Sequence, residues 1–365
     1  MSSMLQLAMA GLLAGSFALP LQARAELRRA DSFVAGPDGS RLFVREISEN
    51  TPSSAKPPVI LLHGARVPGI ASFDLPVEGG SLAADLARAG HRVFVMDARG
   101  YGGSTRPGQE GPADGPPLSR SEDVIADLGA VVNAVKASTG AERVALVGWA
   151  TGGHWAGMYA SRAPENVSHV VIYNSLYGAQ AGHKALGPGS DTADPQDPRR
   201  FNFAKFGAYR LNTAASLMPA WDSSIPTNDK DAWRDPKVAE AYRSAALASD
   251  PASASRNPPA FRAPSGAMAD SFELASGRKL WHANAITAHV LVLRSANDFW
   301  SRPEDVVTLE ADLTNAASVR AVTIPQATHH VHLDRAERGR STFLAELGAF
   351  LAKSPALGKP TRQGT

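Results

Sequence analysis

The stretch that decides the fold is Arg143–Gly157, which reads RVALVGWATGGHWAG. The apolar run that follows Arg143 predicts a strand buried on both faces, and this strand ends at Gly148. A helix rich in small residues begins near Gly152. The pattern therefore predicts a sharp strand-to-helix turn whose central residue is Ala150.

The same alternation of apolar strand and helix continues on both sides of this turn. Buried strands are predicted at residues 59–62, 92–96, 144–148, 167–173, 289–294 and 319–324. Helices are predicted at residues 80–89, 121–139 (with Ser121 as N-cap), 303–313 and 335–351, and a hairpin at residues 31–48. Such alternation is typical of a mostly parallel sheet covered by helices on both faces.

Polar or small residues follow five of the predicted strands. Ligands of parallel sheets bind beyond the carboxyl ends of the strands, so residues at these positions are candidates for one site. They are His63, Asp97, Ala150, Asp298 and His329.

Residues 174–285 differ in character from the rest of the chain. This segment has Pro, Asp and Ser clusters, scattered aromatic residues and short helical patches such as 236–247, and it is too long for a loop. We expect an inserted, mainly helical cap over the strand ends, between core parts 26–173 and 286–354. Its aromatic residues favour an apolar or aromatic substrate, although aromatic residues are also ordinary core.

The beginning of the chain has the pattern of an export signal. An apolar stretch from Met4 to Leu21 precedes Ala23-Arg24-Ala25, which predicts a secretory signal over residues 1–25 and a periplasmic or secreted protein. An uncleaved anchor and a disordered tail are the alternatives. No later run reaches the ~18 apolar residues that a membrane span needs. We expect residues 355–365 to be disordered.

Composition excludes several classes of protein. A net charge of +2 and the lack of a basic run with interleaved aromatic residues argue against nucleic-acid binding. The absence of cysteine excludes a thiolate nucleophile and a cysteine-based metal site. A small-molecule substrate remains the expected partner, and the sequence does not predict an oligomeric state.

Over residues 31–353 the chain resembles the α/β-hydrolase superfamily in four features that occur in the order of the family. These are His63-Gly64, the segment Asp97–Ser104 (DARGYGGS), the turn Gly148–Gly152, and the pair Asp298 and His329. Serine enzymes of this family carry nucleophile, acid and histidine in this chain order, each on a turn after a strand. The resemblance implies an α/β-hydrolase fold with a cap, and neither cofactor nor metal.

The resemblance assigns the acid and the histidine of a catalytic triad. Asp298 would orient the histidine and stabilise its imidazolium form, and an ordinary turn aspartate is the alternative. The segment THHVHLD (328–334) offers two adjacent candidates for the histidine. The spacing to the acidic residue five positions later favours His329, with His330 in the place of an aromatic residue. Three histidines in four residues also fit a metal site, but no HExxH or similar pattern supports one.

The oxyanion hole of the family uses main-chain donors. The resemblance places them at the N–H groups of Ala65 and Thr151. Side chains expected near the substrate are Arg66, Trp149, Trp300 and His330. Arg66 would bind a substrate carboxylate if it is not simply a surface arginine, and each tryptophan could instead belong to the core.

Ala150 departs from the family pattern, which has serine in the middle of Gly-x-Ser-x-Gly. A methyl group cannot attack a carbonyl, and loss of the nucleophile typically costs about 10⁶-fold in kcat. Two hypotheses follow. The chain is either a hydrolase of esters or lactones whose serine has been replaced, or a protein that never used this serine. The latter would be a non-hydrolytic enzyme with His329 and Asp298 as general base, or a ligand-binding protein.

Overall fold

The computed structural model describes residues 26–50, 56–108 and 114–354, so the predicted signal segment (1–25) and the predicted disordered tail (355–365) lie outside the described residues. The described residues form ten strands. They are β1 (Arg28–Ala35), β2 (Arg41–Ser48), β3 (Val59–Leu62), β4 (Val93–Met96), β5 (Val144–Trp149), β6 (Val167–Tyr173), β7 (Tyr209–Thr213), β8 (Ala260–Pro264), β9 (His289–Ser295) and β10 (Ser318–Ile324).

Eight of these strands form one sheet in the order β1-β2-β4-β3-β5-β6-β9-β10. The six strands from β4 to β10 in this order run parallel, whereas β1 and β2 form an antiparallel hairpin at one edge. The mostly parallel sheet and the hairpin at 31–48 are therefore confirmed. Parallel order places the carboxyl ends of β3, β5, β6 and β9 side by side at one rim.

The α-helices of the described residues are α1 (Gly69–Phe73), α2 (Leu82–Arg88), α3 (Ser121–Thr139), α4 (Thr151–Arg162), α5 (Phe203–Phe206), α6 (Met218–Ser224), α7 (Pro236–Ala248), α8 (Gly266–Ala275), α9 (Pro303–Asp312) and α10 (Arg340–Leu351). Short 3₁₀ helices occur at Pro164–Asn166, Ala215–Leu217, Lys230–Ala232, Ser253–Ser255, Ala283–Ala285 and Ala336–Arg338. None of the described helices combines the length and the apolar character needed to cross a membrane.

Two helix predictions were wrong in detail. The closing helix does not begin at Arg335, because Gly339 adopts φ 100° and separates a 3₁₀ turn from α10. Ser121 is the first residue of α3 rather than its N-cap, which is Arg120. The Ser121 hydroxyl donates instead to the Asp270 carboxylate, at 2.7 Å.

The sheet is buried because its central strands are apolar on both faces. Alternate residues of β3 point to opposite sides: Ile60 and Leu62 pack in the cluster with α3, α4 and α9. Val59 and Leu61 pack in the cluster with α2 and α10. Helices thus cover both faces, as the alternation of elements predicts.

Residues 174–285 contain helices and also the two-stranded antiparallel sheet β7–β8, which the sequence did not predict. Helices α6 and α7 pack with α1, which follows β3, in a separate apolar cluster that includes Trp221 and Tyr242. This cluster lies next to the carboxyl end of β3, so the segment contributes to the surroundings of the rim where the candidate residues lie.

Candidate active site

The turn after β5 holds Ala150 in an unusual backbone conformation. Its φ is 52° and its ψ is −116°, which for a residue with a Cβ costs on the order of 1–3 kcal/mol. Its N–H donates to the Tyr173 carbonyl at 2.9 Å, and α4 begins at the next residue. Gly148 and Gly152 permit this turn, because a Cβ on Gly148 would overlap the Gly152 backbone and a Cβ on Gly152 would overlap the Leu62 carbonyl.

The structure brings His329, not His330, to Asp298. The Asp298 carboxylate accepts a hydrogen bond from Nδ1 of His329 at 2.7 Å, which leaves Nε2 as the acceptor of the neutral ring. Burial alone raises the pKa of Asp298, but His329, Ser301 and the Trp300 N–H outweigh it and hold that pKa below its ordinary value. Asp298 is therefore ionised and suited to stabilise an imidazolium.

The loop that carries His329 is held in place by two side chains from the sheet. Trp149 Nε1 donates to the His329 carbonyl at 2.9 Å. The Asn174 amide donates to the same carbonyl at 3.0 Å and to the Ser295 hydroxyl at 2.9 Å. Asn174 itself adopts φ 50°, a conformation that asparagine tolerates. Sequence reasoning missed this role of Asn174, although an asparagine at a strand end was a signal for such a position.

The other two histidines of the segment pack against aromatic rings. His330 stacks on Trp221 with ring centroids 4.6 Å apart, and burial lowers its pKa well below the ordinary value. His332 packs against Trp149 at 4.6 Å and is also neutral because it is buried. Among the described residues no group of three or more histidine, aspartate or glutamate side chains is placed to hold a metal ion.

The loop after β3 is fixed by a buried neutral histidine. His63 Nδ1 donates to the Gly64 carbonyl at 2.7 Å and its Nε2 accepts from the Ala98 N–H at 3.1 Å. Burial lowers the pKa of His63, which agrees with these roles. Tyr101 donates to the Ala65 carbonyl at 2.9 Å. In the described parts of the chain, no hydrogen bond uses the N–H of Ala65 or that of Thr151, the two predicted oxyanion donors.

A cavity of about 140 Å³ opens between this loop, the turn after β5 and His329. It includes all the residues expected near the substrate, namely Arg66, Trp149, Trp300 and His330. Residues that sequence reasoning missed also line it, chiefly Arg210, Leu217, Tyr242, Met268 and Phe299. None of the tryptophans or phenylalanines of residues 174–285 lines it, because residues such as Trp221, Phe261 and Phe272 are buried in apolar clusters. They consequently give no support to an aromatic substrate.

A larger groove of about 1210 Å³ lies on another part of the surface, and it includes neither Ala150 nor His329. Several of the charged residues that line it pair with one another, as Arg29 does with Asp74 at 2.8 Å. The smaller cavity, with the His329–Asp298 pair, is therefore the candidate active site.

His154, on α4, has a structural environment. It accepts from Trp281 Nε1 at 3.1 Å through Nδ1, so its other nitrogen donates to the Ser121 hydroxyl at 3.0 Å. Burial lowers its pKa to about 4. Because Ser121 donates to Asp270, this buried chain does not activate the serine as a nucleophile.

A parallel sheet with a sharp strand-to-helix turn and an Asp–His pair at its rim defines the α/β-hydrolase class. The family model for the alpha/beta hydrolase fold matches residues 57–336, and the chain belongs to this family. No curated protein sequence matches the chain significantly.

Solved structures with the same fold share little sequence with the chain. E-2-(acetamidomethylene)succinate hydrolase is 17% identical with a TM-score of 0.57, and the match covers 89% of this chain and 100% of that one. An esterase from Exiguobacterium antarcticum is 16% identical with a TM-score of 0.54, over 89% and 100% of the two chains. The enol-lactonase from Burkholderia xenovorans LB400 is 15% identical with a TM-score of 0.51, over 88% and 100%. At such identities the likeness shows the fold alone.

Proposed function

We propose that the cavity binds a carboxylic ester or a lactone in the geometry of Ser-His-Asp acyl transfer, with Ala150 in the place of the nucleophile. The observation that carries this proposal is the His329–Asp298 hydrogen bond of 2.7 Å beside a turn that keeps the nucleophile conformation at Ala150. The esterase and the enol-lactonase among the structural neighbours agree with this substrate class.

Each residue has a defined part in the reaction that a serine at position 150 would perform. The serine Oγ attacks the ester carbonyl while His329 Nε2 takes its proton, and Asp298 stabilises the imidazolium that forms. The N–H groups of Ala65 and Thr151 stabilise the oxyanion. His329 then protonates the leaving alkoxide, and water hydrolyses the acyl-enzyme. With Ala150 the first bond cannot form, so this chain binds the ester without cleaving it.

The test is Ala150→Ser, with the unaltered chain beside it. We expect a fluorophosphonate probe to label only the serine variant and ester or lactone hydrolysis to appear with it. The double variant Ala150→Ser with His329→Ala is the control, since it keeps the serine but removes its base. A correctly folded serine variant that neither reacts with the probe nor hydrolyses any member of an ester and lactone panel excludes the proposal.

The second candidate is a protein that works with alanine at this position. The observation that favours it is the retention of the His329–Asp298 pair in a chain that has Ala150, because Nε2 of His329 remains available as a general base. A non-hydrolytic enzyme of this kind requires that His329→Ala abolish an activity which the unaltered chain already has. A ligand-binding protein requires binding that neither Ala150→Ser nor His329→Ala changes.

A further inference from the structure

The candidate cavity is unusual in its charges. Two arginines, Arg66 and Arg210, line it, and none of the aspartates or glutamates in the described part of the chain does. The nearby Asp298 accepts its hydrogen bonds from His329, Ser301 and the Trp300 N–H, and it forms no ion pair with either arginine. The cavity therefore combines a net positive charge with apolar walls.

Arg210 lies on β7 and reaches from the two-stranded sheet β7–β8 to the loop after β3. Its Nη2 donates to the Ala65 carbonyl at 3.3 Å, and its Nε is buried without a hydrogen-bond partner. By contrast Arg262, on the adjacent strand β8, is paired with Asp250 at 2.9 Å. One arginine of this two-stranded sheet thus has a carboxylate partner, and the other faces the cavity without one among the described residues.

Arg66 adds a second positive charge. It donates to the Ser216 carbonyl at 3.0 Å, and no carboxylate of the described residues pairs with it. Burial, together with the charge of Arg66, lowers the pKa of Arg210 to about 10, so Arg210 is still protonated at neutral pH. A half-buried guanidinium that lacks a counter-charge lowers the stability of the fold. Such a group is explained when a ligand supplies the anion.

We propose that Arg210, assisted by Arg66, binds a carboxylate group of the ligand, so that the substrate is an ester which also bears a carboxylate. A half-ester of a short dicarboxylic acid has this chemistry. Arg210 contacts Ala65, the residue whose N–H is a proposed oxyanion donor, and this contact places the carboxylate subsite next to the ester carbonyl. The ester part of this inference rests on the proposed function, whereas the carboxylate subsite does not.

The unaltered chain is suited to the test because Ala150 leaves an ester intact. Binding of monoethyl succinate, monoethyl glutarate and monoethyl adipate is compared by calorimetry with binding of the corresponding diethyl esters. We expect the preferred half-ester to bind about tenfold to a hundredfold tighter than its diester, the range that charge-assisted hydrogen bonds provide. Half-esters that bind no tighter than the diesters, or do not bind, overturn the inference.

Variants then assign the preference to Arg210. Arg210→Gln is expected to reduce half-ester binding to the level of the diester, and Arg210→Lys to retain part of the preference. Arg199→Gln, which changes an exposed cap arginine paired with Asp197, is the matched control and is expected to have no effect. A preference that persists in Arg210→Gln overturns the inference. Should Arg210→Gln fail to fold, Arg210→Lys and Arg66→Gln are compared in the same assay, and an undiminished preference in both has the same consequence.

The two proposals fail in distinguishable ways. Tight half-ester binding by the unaltered chain, with no hydrolysis by Ala150→Ser, supports the carboxylate subsite and excludes acyl transfer. Hydrolysis of neutral esters by Ala150→Ser, without a preference for half-esters, supports acyl transfer and excludes the subsite.

The missing counter-charge of Arg210 also predicts an effect on stability. Because Arg210→Gln removes an uncompensated charge, its melting temperature should be at least equal to that of the unaltered chain.

Discussion

The Asn174 side chain, just after β6, forms hydrogen bonds to the end of β9 and to the loop that carries His329. Asn174→Ala should remove these bonds. Its amide oxygen accepts from the Ser295 N–H at 2.8 Å, and its amide nitrogen donates to the Ser295 hydroxyl at 2.9 Å and to the His329 carbonyl at 3.0 Å. The residue is buried, so water cannot replace these bonds without opening the rim.

The expected loss of stability has three parts. A buried Ser295 N–H without an acceptor costs about 1–3 kcal/mol, and the lost donor bonds cost about 1 kcal/mol each. Alanine at φ 50° adds about 1 kcal/mol relative to asparagine, because asparagine, with its short polar side chain, tolerates the left-handed region better than alanine does. We therefore expect Asn174→Ala to lower the free energy of unfolding by about 4–6 kcal/mol. Asn174→Gly, which has no such backbone penalty, should be less destabilising by about 1 kcal/mol.

Equilibrium unfolding in urea measures both variants. The control is Asn212→Ala, since Asn212 is also a buried asparagine but makes one long side-chain bond, to the Arg210 carbonyl at 3.3 Å. In the Ala150→Ser background, Asn174→Ala should also lower kcat more than it raises KM, because His329 is displaced while the cavity walls remain. A loss below about 1 kcal/mol, or one no larger than that of the control, would refute this account of the rim.

Three further predictions concern the site and its supports. In the Ala150→Ser background, Asp298→Asn should lower kcat by about 10⁴-fold, which is the effect of the equivalent change in a serine protease. A loss of kcat below tenfold in steady-state kinetics contradicts the role assigned to Asp298. Gly152→Ala places a methyl group on the Leu62 carbonyl and should destabilise the fold by at least about 3 kcal/mol in thermal unfolding, and an unchanged melting temperature contradicts the packing. The pKa of His154 falls to about 4 in the folded state, so its contribution to stability is present above its unfolded pKa and is lost as the pH falls towards 4. His154→Gln retains one hydrogen-bond donor and one acceptor but cannot be protonated in this pH range. The free energy of unfolding should therefore fall less steeply between pH 6.5 and 4 in this variant, by up to about 1.4 kcal/mol per pH unit. An unchanged slope in urea unfolding contradicts the buried neutral state.

The central strands could be predicted because each is a short apolar run, as at residues 59–62, and such runs alternate regularly with predicted helices. Strand β7 could not be, since its sequence YRLNT is partly exposed and has little apolar content. The break at Gly339 depends on a local backbone conformation that an apolar period does not reveal. Arg210 could not be recognised from the sequence either, because the informative observation is that no carboxylate of the described residues pairs with it. This depends on how the chain folds and not on the order of its residues.

The strained conformation of Ala150 does not by itself decide between the two hypotheses about the missing serine. The bond from its N–H to Tyr173 and the close approach of Gly148 and Gly152 impose that conformation, so the scaffold would keep it after the serine was lost. Arg210 is more informative on this question. An arginine whose Nε has no hydrogen-bond partner contributes little to the stability of the fold. The carboxylate subsite that we propose would give this arginine a partner. If the Ala150→Ser variant hydrolyses the ligand, the cavity binds a substrate of acyl transfer. If it does not, the cavity only binds the ligand.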